Sequence, residues 1–392
     1  MKRGLFMHYD FNQVITRHHT NSVKYDCAKY FCPGIPDDFI PMWVADMDFA
    51  TPDDVKNAMI ERIKKSIFGY TYITDPDYNA AIIGWMNRRF SWNIQKYTII
   101  PCNGVVNALH HFVTLMTNPG EGVIIQPPVY PQFFNSIEME GRKVVCNNLL
   151  YNDGYYTIDF DDLEQKAQDS KNTLMFVCSP HNPVGRVWTV KELQKIGTIC
   201  LQNNVRIVCD EVHHDLTRKN IVHTPLASLF PDNPNIYTCT SPGKTFNLSG
   251  NNLANIITCD PTLPQLWSSI FHESASPLAV AAVQTAYSLC DGWVDELRAY
   301  LDDNFQYLQK FLEKYLPKAQ FKIPEGMYLA WIDFSSYEPD ADKLYHKLCI
   351  DAGVVVQSGS HFHSNLTGYI RMNIACPRSV LSEALNRIAA VL

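Results

Sequence analysis

The chain has 392 residues, more than one hydrophobic core usually spans, so two domains are expected. Hydrophobic residues at 46% and charged residues at 19% are those of an ordinary globular protein. A net charge of −7 speaks against nucleic acid or an anionic membrane surface as the main partner.

Taken in order, Met1–Asp10 carries positive charge but no apolar stretch, so it does not read as a secretory signal. No apolar run reaches about 18 residues, so no transmembrane helix is expected and the cytoplasm is the default location. The twelve cysteines are scattered, with no C-x-x-C pair. They read as free thiols of a reducing compartment, neither a disulfide framework nor a zinc site.

Residues 1–50 read as irregular, ending in Pro41–Phe49, a strand running into a loop. Thr51 is expected to cap a helix that Pro52 begins, with apolar residues at 55, 59, 60, 63 and 67 on one face. Phe68–Tyr72 is a loop with aromatic tips, and 76–92 is a second amphipathic helix. Ile99–Val106 is a strand that turns through Asn-Gly into a helix ending near 117. Strand-like runs follow at 122–126, 143–147, 173–178, 205–210, 235–240 and 253–258, with helices at 160–168, 189–203 and 276–290. Continuous apolar strands alternating with helices predict an α/β fold, a mostly parallel sheet covered on both faces. A long helix at 292–316, runs at 328–333, 354–356 and 369–374, a helix near 340–352 and a terminal helix predict a smaller α+β domain. The expected division is an N-terminal arm at 1–48 packing on the small domain, a large domain at 49–288 and a small domain at 289–392.

In such sheets ligands bind beyond the carboxyl ends of the strands. Four loops there carry chemistry. Gly104 and Val105 open a helix whose free amides suit a phosphate. Asn182, in Ser179-Pro-His-Asn-Pro-Val-Gly185, can donate from its amide, although the same residues also make a plain turn. Asp210 ends a buried strand, where a carboxylate is costly unless a cation meets it. A protonated pyridine nitrogen would be such a cation, and His213 could reach the same ring. A metal held by Asp210, Glu211, His213 and His214 is the lower-ranked alternative. Lys244, in Thr240-Ser-Pro-Gly-Lys-Thr-Phe-Asn-Leu-Ser-Gly250, stands among small hydroxylated residues with no acid nearby. It suits an amine that must lose its proton to form a Schiff base, with Ser241 and Thr245 able to donate to phosphate.

Asn-Pro-x-Gly, Asp-x-x-His and Ser-x-x-Lys, in that order on successive strands, resemble the fold-type-I pyridoxal-phosphate enzymes of aminotransferase class I/II. Met42–Phe49, Gln126–Pro131, Asn182–Thr189, Lys244–Leu248 and Arg371–Arg378 are similar to the MalY/PatB-type cystathionine β-lyases within that class. The resemblance covers essentially the whole chain. It implies a pyridoxal-phosphate-dependent lyase of cysteine S-conjugates, with an aminotransferase or a regulatory protein retaining the fold as alternatives. It implies Lys244 joined to the cofactor, Asp210 on the ring nitrogen, and Asn182 and His213 on the ring oxygen. Tyr130 would stack on the ring, and Ser241 with the Gly104 and Val105 amides would hold the phosphate. Arg371 would clamp the carboxylate of a small amino-acid thioether, with Ala45 and Asp46 beside it. Tyr70, or Tyr72 in its place, would reach the neighbouring subunit's phosphate, which implies a homodimer. Two departures stand out. Gly243 replaces the Ser or Thr that often precedes the lysine, and Asn252 replaces a phosphate-binding arginine. The alternative for Arg371 is a purely structural pairing with an acid such as Asp333, and Trp43 and Met47 read as core or pocket wall.

Overall fold

The computed structural model describes residues 9–73 and 75–392, so the basic start at 1–8 lies outside the described residues. Seven strands form the main sheet: β1 Thr98–Cys102, β2 Gly122–Ile125, β3 Lys143–Cys146, β4 Asn172–Cys178, β5 Arg206–Asp210, β6 Ile236–Thr240 and β7 Ala254–Thr258. Their order is 1-7-6-5-4-2-3. Only β7 runs against its neighbours; the pairs from β6 across to β3 are parallel. Alternate residues of the strands feed two different apolar clusters. Ile124, Met175, Val177 and Ile207 belong to one; Val123, Ile125, Leu174 and Val208 belong to the other. A sheet buried on both faces explains why these strands read as unbroken apolar runs. Fully burying each such side chain contributes about 1.5–3 kcal/mol.

Register fixes what the far edge of the sheet presents. Cys178 lies beside Asp210, and Asp210 lies beside Cys239, so β4, β5 and β6 end level. The loops after them bring Asn182, Asp210 and Lys244 to one edge.

A second sheet has the order β8-β9-β11-β10, from β8 Gln320–Phe321, β9 Leu329–Asp333, β10 Gln357–Ser358 and β11 Tyr369–Asn373. Ile40–Pro41 pairs in parallel with Val354–Val355, and Ala28, Cys32, Ile35, Phe39 and Met42 share an apolar cluster with Phe305, Ile332, Ile370 and Leu385. The long helix Asp291–Tyr315 enters both cores. Trp293, Val294, Leu297 and Leu301 pack with the main cluster, whereas Phe305, Leu308, Phe311 and Leu312 pack with the second.

Several expectations need correction. The first 50 residues are not wholly irregular, because Val23–Asp26 and Ala28–Phe31 form single helical turns. Pro52, not Thr51, is the N-cap of helix Asp53–Ile63; the Thr51 hydroxyl donates instead to the Phe246 carbonyl at 3.3 Å. That helix ends before Ile67, which is exposed. The helix from 76 stops at Phe90, where Ser91 turns left-handed. Helix Ala341–Tyr345 widens into a π-helical turn at His346–Asp351. Helices Pro131–Met139 and Leu263–Ile270 and the hairpin Leu150–Asn152 with Tyr155–Thr157 were not anticipated.

Candidate active site

A cavity of about 800 Å³ lies beyond the ends of β4, β5 and β6. Gly104, Val105, Tyr130, Asn182, Asp210, His213, Ser241, Lys244 and Arg371 all line it, as do Trp43 and Ala45. Nine residues drawn from as far apart in sequence as Gly104 and Arg371 therefore face one space.

Lys244 sits in a single helical turn, Pro242–Thr245, capped by Ser241, whose Oγ accepts from the Gly243 amide at 3.0 Å. The lysine Nζ donates to the Ala45 carbonyl at 2.7 Å. Loss of water pulls its pKa down to about 8, and nearby Arg371 adds to the effect, while Asp46 and Asp210 oppose it. An amine so placed is neutral above about pH 8, and an ordinary lysine only above about pH 10.5. In cofactor-free protein, amine-directed acylation of Lys244 should therefore show a midpoint near pH 8. A midpoint shared with the exposed lysines would remove the desolvation argument.

Asp210 is buried at the tip of β5. Burial pushes its pKa up to about 6, against the Val212 amide, which donates to Oδ1 at 3.2 Å, and the charge on Lys244. No cation forms an ion pair with it among the described residues, so it stands ready for one. His213 is held neutral, its pKa far below the usual range through burial and the charges of Lys244 and Arg371. Its Nδ1 has no hydrogen-bond partner, and Tyr328 packs edge-on to its ring at 5.8 Å.

Arg371 lies on β11 and is 3% exposed. Its Nη1 donates to Asn182 Oδ1 at 3.0 Å and its Nη2 to the Trp43 carbonyl at 3.2 Å, and its Nε is unpartnered. Burial pulls its pKa down to about 10. No carboxylate reaches it among the described residues; Asp333 instead accepts from the Ser335 amide. A desolvated guanidinium without an acid is a receptor for a carboxylate. A guanidinium only donates, so the Asn182 oxygen must face it, leaving the Asn182 NH₂ free to donate elsewhere.

Gly104 has φ +90°, a conformation that disfavours a side chain, and opens helix Val105–Met116. Its own amide donates to the Cys102 carbonyl at 2.8 Å, so anion binding falls to the amides that follow. The side-chain Nδ2 of Asn251, a residue that also lines the cavity, is buried without a partner. Tyr130 caps helix Pro131–Met139 at the cavity wall.

Two expected residues lie elsewhere, and Tyr70, expected at the neighbouring subunit's site, is fully exposed and lines no part of this cavity. The Asp46 carboxylate faces the arm, pairing with Arg17 at 2.6 Å, and only its neighbour Ala45 reaches the cavity. Thr245 does not face the phosphate side: its hydroxyl donates to Asp215 Oδ2 at 2.7 Å inside the core. No group of three metal-ligating side chains forms at Asp210–His214 or elsewhere among the described residues. Ala45, expected beside the substrate, and Trp43, expected as core or pocket wall, do line the cavity, but their role as carbonyl acceptors has no sequence signal; sequence reasoning missed Tyr328, whose hydroxyl donates to Ala45 O at 2.9 Å, and Asn373, which holds the carbonyls of Val44 and Asp46.

The residues present fit the cofactor that the resemblance implies. An unpaired buried acid faces the space where a cationic ring nitrogen would sit, and a neutral-leaning amine lines the same space. Helix-start amides, Ser241 and the unpartnered Asn251 Nδ2 form an anion-binding end.

Residues 37–388 match the model of aminotransferase class I and II. Cystathionine beta-lyase PatB of Bacillus subtilis is 38% identical over 98% of this chain and 100% of its own length. Protein MalY of Escherichia coli is 30% identical over 98% of this chain and 100% of its own. The crystal structure of the PLP-bound C-S lyase from Staphylococcus hominis superposes with a TM-score of 0.92 at 37% identity, covering 99% of each chain. A family match spanning nearly the whole chain, with the strand-end residues gathered around one cavity, makes this protein a member of the aminotransferase class I and II family.

Proposed function

We propose that this chain is a pyridoxal-phosphate-dependent carbon–sulfur lyase. It acts on cysteine S-conjugates such as cystathionine and splits the Cβ–S bond, consuming one water, to give a thiol, pyruvate and ammonia. The observation that carries the reading is the meeting, in one cavity, of an amine with a depressed pKa, a buried acid without a cation and a buried guanidinium without an acid. The similarity to PatB, and to a solved structure described as a PLP-bound C-S lyase, supports the choice of elimination.

When bound, the cofactor supplies the electron sink that makes the Cα proton removable. The protein does the rest. Lys244 holds the cofactor at rest and, as a neutral amine, takes the Cα proton. Asp210 would hold the ring nitrogen protonated. Neutral His213 and the free NH₂ of Asn182 would serve the ring oxygen, and Tyr130 would pack on the ring. Ser241 and the amides that follow Gly104 would hold the phosphate, with Asn252 rather than a cation on the same wall. Arg371, braced by Asn182, fixes the substrate carboxylate so that the Cα–H bond points at the amine.

The chain works as a homodimer in the cytoplasm, with Tyr70 reaching the neighbouring subunit's phosphate. Full exposure of Tyr70 beside exposed Ile67, Phe68 and Tyr72 supports an interface there. Twelve cysteines carried as free thiols, most of them buried, support a reducing setting. The working division is an arm at 1–48, a large part at 49–288 and a small part at 289–392; an apolar cluster drawn only from residues 28–42 and 305–388 supports the packing of the arm on the small part.

Incubation with cystathionine tests the reaction. Pyruvate should form without any added keto acid. Amination of an added keto acid, with the 2-oxo acid of cystathionine formed in place of pyruvate, would make the enzyme a transaminase, and the absence of any product would leave a binding role.

A further inference from the structure

Behind Lys244 lies a carboxylate that the reaction as described does not use. Asp215 is fully buried, five residues after Asp210. Its Oδ2 accepts from the Thr245 hydroxyl at 2.7 Å and lies 3.0 Å from His214 Nε2. Its Oδ1 accepts from Trp85 Nε1 at 3.1 Å. Thr245 and Trp85 are themselves without exposure. Placing a charge here is costly. A fold would keep it where the position of its donors matters.

One of those donors immediately follows the lysine. Successive residues of a helical turn point about 100° apart, so Lys244 faces the cavity while Thr245 faces the core. Pinning Thr245 fixes the azimuth of the turn, and with it the point from which the lysine side chain springs. Asp215 belongs to the same short segment as Asp210 and His213. The bond from Asp215 to Thr245 thus ties the strand end that carries the ring-facing residues directly to the turn that carries the amine. Ser241 secures the other end of that turn through its bond to the Gly243 amide.

We propose that Asp215 is a positioning residue that acts through Thr245, setting the distance and direction of the Lys244 amine relative to Asp210. The proposal rests on the reading of Lys244 and Asp210 as the pair flanking the cofactor.

Two substitutions separate positioning from packing. Thr245→Val keeps the shape and deletes the donor; Thr245→Ser keeps the donor and deletes a methyl group. In the holoenzyme, Thr245→Val should lower kcat for pyruvate release by about 10²-fold, the scale of a misplacement near 1 Å, with KM nearly unchanged. Thr245→Ser should stay close to the parent enzyme. In cofactor-free protein, the pH midpoint for acylation of Lys244 should rise toward that of exposed lysines in Thr245→Val and not in Thr245→Ser. A Thr245→Val enzyme with parental kcat and an unmoved midpoint would overturn the proposal. So would equal losses in both variants, which would make the methyl group and not the hydroxyl responsible. If the parent protein retained no borohydride-trapped cofactor at Lys244, the functional reading would fall. The acylation midpoints would still decide whether Asp215 holds the amine.

Discussion

Replacing Lys244 with alanine is expected to abolish the borohydride-stable link between protein and cofactor and to slow pyruvate release by at least about 10²–10⁴-fold, the usual reach of one positioned acid–base group. Thermal stability should not fall. The amine gives up water to sit in the cavity, as its depressed pKa records, and recovers one bond to the Ala45 carbonyl. A folded Lys244→Ala protein that still carries cofactor through borohydride reduction and peptide mapping would place the attachment elsewhere. Asp210, at the end of β5, faces the same cavity but is an acid and cannot substitute for the amine.

The second large effect concerns Arg371. Arg371→Ala should weaken substrates bearing an α-carboxylate by about 2–5 kcal/mol, read mainly in KM, because a desolvated guanidinium is being removed from its anion. Arg371→Lys should recover only part of this. A lysine is a point charge and cannot hold the Asn182 oxygen, the Trp43 carbonyl and a carboxylate with one planar fork. An unchanged KM for Arg371→Ala would dismiss the clamp.

Much of the main sheet could be read in advance for a physical reason. Strands buried on both faces have no polar alternation, so Val123–Ile125 and Leu174–Cys178 stand out as apolar blocks, and their ends moved by only a residue or so. Helix Phe160–Gln168 was equally plain, with Asp159 as its cap. Helix Pro131–Met139 was hidden because Pro127, Pro128 and Pro131 look like loop punctuation, although proline suits the first helical position. Single-turn helices such as Ala28–Phe31 carry too little periodicity to register. At the site, Asn182, Asp210 and Lys244 were legible because each is a polar residue placed just after an apolar strand. The Trp43 and Ala45 carbonyls were not, since a backbone acceptor has no side-chain signature. Thr245 was misjudged because sequence places it beside Lys244 but not on which side of the turn it points.

The helix Asp291–Tyr315 gives the two sheets a shared axle. Trp293 and Leu301 are embedded under the sheet that carries the amine, and Phe305 and Leu312 under the sheet that carries the guanidinium. Moving the second sheet as a whole against the first must therefore twist or flex a continuous rod of 25 residues. Local adjustment is left to the turn that carries Lys244 and to lining side chains on other segments, such as Gln132 and Gln357.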